Sequence, residues 1–398
     1  MPRFEPFAAL RYAPRQVPEL SDVVCPPYDV ISDHDRVVLA ARSAHNVVRV
    51  EVPRAEELGD RYDEARLLLD AWREAGIMTR DPHPAFYGHR MTFTDPDGAT
   101  RSSLGVLGAL GLEAPGSGIL PHEHTTPKAK TDRLDLLRAT RTNVSPIWVL
   151  SPASGLSDAC TPPPHPAAHA LDDDGVLHEV WAITDPESVA TIKELVASAP
   201  VLVADGHHRY EVALAYQAQQ RAAGSGPGDH DAVLALAVEL ADEQLSVQAI
   251  HRLVSGLPPH FDVLGALASG FELEPTGPPD ATISERMRVA EALAVVLPEG
   301  TWLARPRGAT EVAATHDLDS SRLDVVLATL PEHQVVYQHG WDLATSAVMQ
   351  GDSQAAILLR PATVSQIADV GRGGNRMPPK TTFFWPKPRT GMVLRELT

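Results

Sequence analysis

The most informative change of pattern along the chain lies between Val201 and Tyr216, VLVADGHHRYEVALAY. Val201, Leu202 and Val203 form an apolar β-branched run, the run breaks at Asp205-Gly206, and Val212, Ala213 and Tyr216 then recur on one helical face. A strand, a sharp turn and a helix are predicted, with His207, His208 and Arg209 on the first helical turn. Upstream, HEVWAIT reads as a strand and Asp185-Pro186 opens a helix to about Ser198, with proline at its first position. The order is therefore strand, helix, strand, helix.

Elsewhere the periodicity is plainer. Asn46 to Val52 (NVVRVEV) alternates and predicts a strand, while Leu58, Tyr62, Ala65, Leu69 and Trp72 recur at helical spacing. They predict a helix from about Glu56 to Ala75, ended by Gly76. Phe86 to Phe93 and Ser103 to Leu112 flank Asp95-Pro96-Asp97-Gly98, a hairpin pattern. LDLLRATR reads as a helix and SPIWVL as the strand after it. Beyond Gly256, helical stretches are expected at Val263 to Ala268, Ser284 to Val295 and near Leu318 to Leu330, with a strand at Thr301 to Pro306 and a mixed sheet. The class expected is α+β (mixed α/β), with mixed sheets and flanking helices. Three regions are expected: 1–155, 156–256 and 257–398.

Composition narrows the partners. A chain of 398 residues is long for one core. A net charge of −18 argues against wrapping nucleic acid or an anionic membrane, because phosphate contacts need clustered Lys and Arg. No run of about 18 uncharged apolar residues occurs, and the two cysteines, Cys25 and Cys160, are not spaced as a zinc or redox pair. A soluble, cytoplasmic protein acting on small molecules is expected.

The candidate chemistry starts at Asp205-Gly206-His207-His208-Arg209. A helix start offers unpaired amides and partial positive charge, and an arginine fork beside it suits a phosphate. A second polar knot, ILPHEHTTPKAKTDR, brings His122, Glu123 and His124 close to Lys128, Lys130, Asp132 and Arg133. The HExxH spacing of a zinc helix is absent, so no metal ligands are assigned; the cations suit phosphate and Glu123 suits an acid or base. Asn143 is placed to reach back to that loop. In CPPYDVI two prolines hold Tyr28 and Asp29 in a rigid turn. His251-Arg252 ends an apolar run, and the tail MPPKTTFFWPK sets three aromatics between Lys380 and Lys387. That tail is read either as a nucleotide-stacking segment or as a packed arm.

These five motifs, in this order, resemble the bacterial and archaeal family of unknown function numbered 1015. The Asp-Gly-His-His-Arg motif is in turn similar to the Asp-Gly-x-His-Arg signature of the ParB and sulfiredoxin superfamily, which includes nucleotide-dependent free serine kinases. The resemblance implies a ParB/sulfiredoxin-like core around the motif. It also implies amides of Gly206 and His207, with His208 and Arg209, on nucleotide phosphates, and Asp205 near the hydroxyl or a magnesium ion. The function expected is a kinase phosphorylating a small hydroxylated metabolite, free serine foremost, with ATP or ADP and Mg²⁺ and with Glu123 or Asp205 as base. The alternatives are a metal-dependent phosphatase and a ParB-like binding protein without turnover.

Overall fold

The computed structural model describes residues 1–55, 59–95, 98–114, 116–121, 127–372, 377–378 and 380–398. The chain forms two compact units: residues 1–246 with 386–398, and residues 247–385. The boundary placed at 155/156 falls inside the first unit, between strands of one continuous sheet.

The first unit opens with β1 (Phe4–Glu5), β2 (Leu10–Tyr12), α1 (Asp33–Arg42), α2 (Val48–Glu51), α3 (Arg61–Glu74) and β3 (Met78–Arg80). The hairpin β4 (Phe86–Thr94) and β5 (Thr100–Gly111) follows, then β6 (Ile119–Pro121), α4 (Pro127–Thr140), β7 (Thr142–Asn143) and β8 (Ile147–Ser151). Next come α5 (Leu156–Ala159), β9 (Ala168–Leu171), β10 (Leu177–Ile183), α6 (Pro186–Ala197), β11 (Val201–Asp205), α7 (His207–Ala222) and β12 (Ala232–Glu239).

Nine of these strands make one sheet in the order β6-β11-β8-β12-β5-β4-β10-β9, with β1 beside β5. The pairs β11–β6 and β12–β8 are parallel and the rest antiparallel, so the sheet is mixed as expected. β12 is buried from Ala232 to Val238, which is why it reads as a continuous apolar run rather than an alternation. One face carries Phe4 stacked on Phe86 at 5.1 Å, with Ile147, Val149, Val203, Tyr210 and Ala213 in the same core. A second core gathers Leu10, Val47, Val48, Leu69 and Trp72.

The expected strand at Asn46 to Val52 is the short helix α2 instead. Buried Asn46 supplies the reason: its Nδ2 donates to the carbonyls of Asp22 (2.8 Å) and Val24 (3.3 Å), and its Oδ1 accepts from Val48 N–H at 2.9 Å. A helix start is thereby held and an extended course refused. α3 begins at Arg61, capped by Asp60, rather than near Glu56.

Residues 386–398 return to the first unit and bind several of its elements. Thr390 and Cys25 exchange backbone hydrogen bonds (2.8 and 3.2 Å), as do Leu394 and Leu10 (both 3.0 Å). Arg389 donates from Nε to Asp172 at 2.7 Å, and Asp172 also meets His178 Nε2 at 2.9 Å.

The second unit holds a six-stranded sheet. Its order is Phe271–Thr276, Gly300–Pro306, Leu293–Leu297, Ala355–Leu358, His251–Ser255 and Gln334–Gln338, and every pair is antiparallel, not mixed. The expected helix Ser284 to Val295 is a helix, Ile283–Val289, followed by the strand Leu293–Leu297. The break is a left-handed residue, Glu291 (φ 51°), with Ala292 N–H bonded back to Met287 O at 3.0 Å. Among the described residues no helix is long and apolar enough to cross a membrane.

Candidate functional site

The strand, turn and helix expected around Asp205 are present as β11, Gly206 and α7. A register irregularity against β8 falls between Val203 and Asp205, so the strand is already leaving its ladder when it reaches the carboxylate. Gly206 then takes φ 88°, and a Cβ there would sit 3.0 Å from both Ile147 Cγ2 and Arg209 Nε. Only glycine fits this turn without strain. The N-cap residue, Gly206, has no side chain to cap the helix, and the first intrahelical bond runs from Tyr210 N–H to Gly206 O at 3.0 Å. The amides of His207, His208 and Arg209 precede that bond and carry the positive end of the helix.

Asp205 sits between two cations. Its Oδ2 accepts from Arg209 Nη2 at 2.7 Å, and its Oδ1 from the Lys387 ammonium. Arg209 also donates from Nη1 to the Pro146 carbonyl. The three side chains are 15, 10 and 10% exposed for Asp205, Arg209 and Lys387, so water screens them poorly. Burial pushes the Asp205 carboxyl upward, but Lys387 and Arg209 outweigh it and hold it well below the usual carboxylate range. Asp205 is thus a fixed anion that positions two cations. A carboxylate so stabilised is a weak proton acceptor.

Beside this triad lies a second cluster, made of motifs far apart in the chain. The Arg133 guanidinium lies over the Tyr28 ring at 4.4 Å and donates to the Glu51 carbonyl at 2.6 Å. Asp132 holds Arg133 from Oδ2 (2.6 and 2.8 Å), while its Oδ1 accepts from Tyr62 Oη and Arg61. Tyr28 is pushed up to about 12, chiefly by burial, against the opposing charge of Arg209. Arg209 in turn feels Asp205, Asp29, Tyr28 and Glu51. The structure therefore brings together Asp205 to Arg209, Tyr28, Asp29, Asp132, Arg133 and Lys387.

Glu51 was not anticipated. It is 2% exposed, and its Oε1 accepts from Ser145 Oγ at 3.0 Å and from Tyr28 N–H at 3.3 Å. Ser145 and Pro146 are consecutive, so one short segment ahead of β8 fixes Glu51 on one side and Arg209 on the other. Nothing in VEVP marks such a carboxylate as buried.

Other expected residues have roles inside the fold, belong to the second unit or lie beyond description. His122, Glu123 and His124 lie outside the described residues; Lys128 and Lys130 are in α4, but their side chains are not described. Asn143 does not reach back to the loop: its Oδ1 accepts from Leu234 N–H at 3.0 Å and from Arg395 at 3.4 Å, a role inside the fold. His251, Arg252 and Lys380 belong to the second unit, where His251 accepts from Leu359 N–H and Arg252 lies over the Tyr337 ring. In the tail, Thr382–Trp385 is a strand with Phe384 buried and Phe383 against His339. Among the described residues no three metal-ligating side chains gather, and both Asp205 oxygens face cations.

A family model described as a protein of unknown function, DUF1015, matches residues 4–326. The chain belongs to the DUF1015 family. No curated protein matches this DUF1015 chain. Among solved structures it is similar to a conserved hypothetical protein from Pyrococcus furiosus, at 16% identity and TM-score 0.36, covering 69% of this chain and 90% of that one. It is also similar to a free serine kinase in complex with AMP, at 14% identity and TM-score 0.37, covering 71% and 88%. A third likeness is to SbnI with C-terminal truncation from Staphylococcus aureus, at 13% and 0.37, covering 72% and 86%. At such scores the likeness carries no activity across to the DUF1015 chain.

Proposed function

We propose that this protein is a phosphotransferase that moves a phosphoryl group between a nucleotide, ATP or ADP, and the hydroxyl of a small metabolite, free L-serine first among candidates. The observation that carries the proposal is the pairing of Arg209 and Lys387 on one partly buried carboxylate at the glycine-led start of α7. A helix start with two poorly hydrated cations attracts phosphate oxygens and stabilises charge that develops on a transferring phosphoryl group.

In this reading the acceptor hydroxyl gives its proton to a carboxylate as its oxygen bonds to the phosphorus, and the bond from phosphorus to the leaving nucleotide oxygen breaks. Arg209, Lys387 and the amides after Gly206 hold the phosphate oxygens, with His207 and His208 beside them. Arg133, Lys128 and Lys130 extend the clamp. Asp205 keeps Arg209 and Lys387 aimed, and Glu123 takes the proton. No step is routed through a metal ion.

The test is a screen of the purified protein with ATP or ADP against L-serine and other small hydroxylated acceptors, followed by Arg209→Ala and Glu123→Ala. Turnover should fall by about 10²-fold or more in each folded variant. Unchanged turnover removes these assignments. Release of phosphate from phosphoserine without a nucleotide would replace the transferase by a hydrolase.

A further inference from the structure

The two clusters at the site differ in how their charges are met. On one side Asp205 is shared by two cations, Arg209 and Lys387, at the start of α7. On the other side Arg133 is met by Asp132, and Glu51 keeps its charge to itself. Among the described residues no cationic nitrogen lies within 4.0 Å of the Glu51 carboxylate. Its Oε1 takes two neutral donors, Ser145 Oγ and Tyr28 N–H, and Oε2 takes none among the described residues. Glu51 is 2% exposed, and a carboxylate so placed with one oxygen unpartnered is stabilised when a donor meets that oxygen.

Arg133 and Arg209 are committed to other partners through every side-chain nitrogen except Arg209 Nε. Arg133 Nη1 is spent on the Glu51 backbone carbonyl and its Nε and Nη2 on Asp132, while Arg209 is held by Asp205 and Pro146. Each is fixed by a partner that moving toward Oε2 would strand. The missing donor is therefore expected from the ligand. The site is bipolar, with positive charge where phosphate is expected and an unmet carboxylate beside it. A ligand that matches both ends carries a hydroxyl to be phosphorylated and a cationic group close to it.

We infer that Glu51 recognises the ammonium group of an amino-bearing acceptor through Oε2, and so selects amino alcohols and hydroxy amino acids over hydroxy acids. This rests on the phosphotransferase reading only for the identity of the hydroxyl. The ammonium preference itself is a binding property. Ser145 and Tyr28 N–H hold the carboxylate still, so that the preference is built in before the ligand arrives.

Calorimetric binding of L-serine and of 3-hydroxypropionate, which keeps the hydroxyl and carboxylate but lacks the ammonium, tests the inference on the full chain with and without ADP. The wild-type protein should bind serine about 10-fold or more tightly than its analogue. Glu51→Gln should weaken serine by about 10- to 100-fold and change 3-hydroxypropionate by less than about threefold. Where turnover is present, the loss should appear in KM for serine with kcat largely kept. Equal loss for both ligands, no loss for serine, or no wild-type preference overturns it. If Glu51→Gln does not fold, Glu51→Asp, which keeps the charge and withdraws it by one methylene, must shrink the preference; an unchanged preference is equally fatal. A protein that shows the preference and its loss, yet phosphorylates no acceptor, retains this inference and loses the proposed function. A protein that phosphorylates hydroxy acids and amino acids alike does the reverse.

Discussion

Asp205→Asn isolates the central feature of the site, because it keeps the shape of the side chain and removes only its charge. Arg209 and Lys387, each 10% exposed at the side chain, then face each other without their shared anion. Leaving buried charges unpaired costs about 3–5 kcal/mol, and the residual exposure of these groups places the expected loss near 3 kcal/mol. For a unit of this size that is a fall of about 6–12 °C in melting temperature. Two further readings follow from the same geometry. Adding Lys387→Met to Asp205→Asn should recover stability, since one stranded cation is gone, giving a coupling of about 1–3 kcal/mol in a double-mutant cycle. Inorganic phosphate should raise the melting temperature of Asp205→Asn more than that of the wild type, because in the wild type Asp205 competes with it for both cations. Scanning calorimetry of the four proteins with and without phosphate supplies every number. A loss below about 1 kcal/mol, or additive effects of the two substitutions, refutes the reading of Asp205 as the anion that organises both cations.

Gly206→Ala places a Cβ at φ 88° and 3.0 Å from Ile147 and Arg209; it should cost about 1–3 kcal/mol by chemical denaturation and weaken phosphate binding by displacing Arg209. Stability should fall on acidification from two groups of the same sign. Burial drives His89 down to about 3, so the unfolded chain binds its proton first and stability is lost as pH falls from about 6.5 toward 3. Asp172 is raised by burial but brought down to about 2 overall by His178 and Arg389, so its contribution is present above pH 4 and lost as pH falls toward 2. In His89→Gln the slope of unfolding free energy against pH between 4 and 6 should be smaller by about 1.4 kcal/mol per pH unit, measured by urea titration. Asn143→Ala should cost about 1–3 kcal/mol by stranding Leu234 N–H, while leaving the affinity for phosphate unchanged by titration calorimetry.

Local signals were read well where they were strong and unambiguous. The β-branched run before Asp205, the proline at the first position of α6 and the Asp-Gly hairpin all led to the observed elements, because each depends on backbone chemistry within a few residues. NVVRVEV misled because four residues of helix and a strand can both place two valines inward, and the arbiter was Asn46 bonding to carbonyls more than 20 positions away. Glu51 was lost with that misreading. Lys387 was noticed as a flank of an aromatic run, but its partner lies 182 positions earlier, a pairing that no local pattern encodes. Tyr28, Asp29 and Arg133 were singled out one by one; that Glu51 and Ser145 knit them together depended on the fold.

The return of residues 386–398 to the first unit sets an order on the protein's synthesis. The ribosome must translate the whole of residues 247–385 before Lys387 can meet Asp205, Arg389 can meet Asp172, or Leu394 can pair with Leu10. At roughly 5–20 residues per second this leaves the nascent first unit waiting on the order of 10 s with Asp205 lacking one of its two cations. The second unit finishes emerging first. Completion of the Asp205 cluster thereby waits on translation past residue 387, and a chain stopped inside residues 247–385 carries the Asp-Gly-His-His-Arg turn without the lysine that pairs with it.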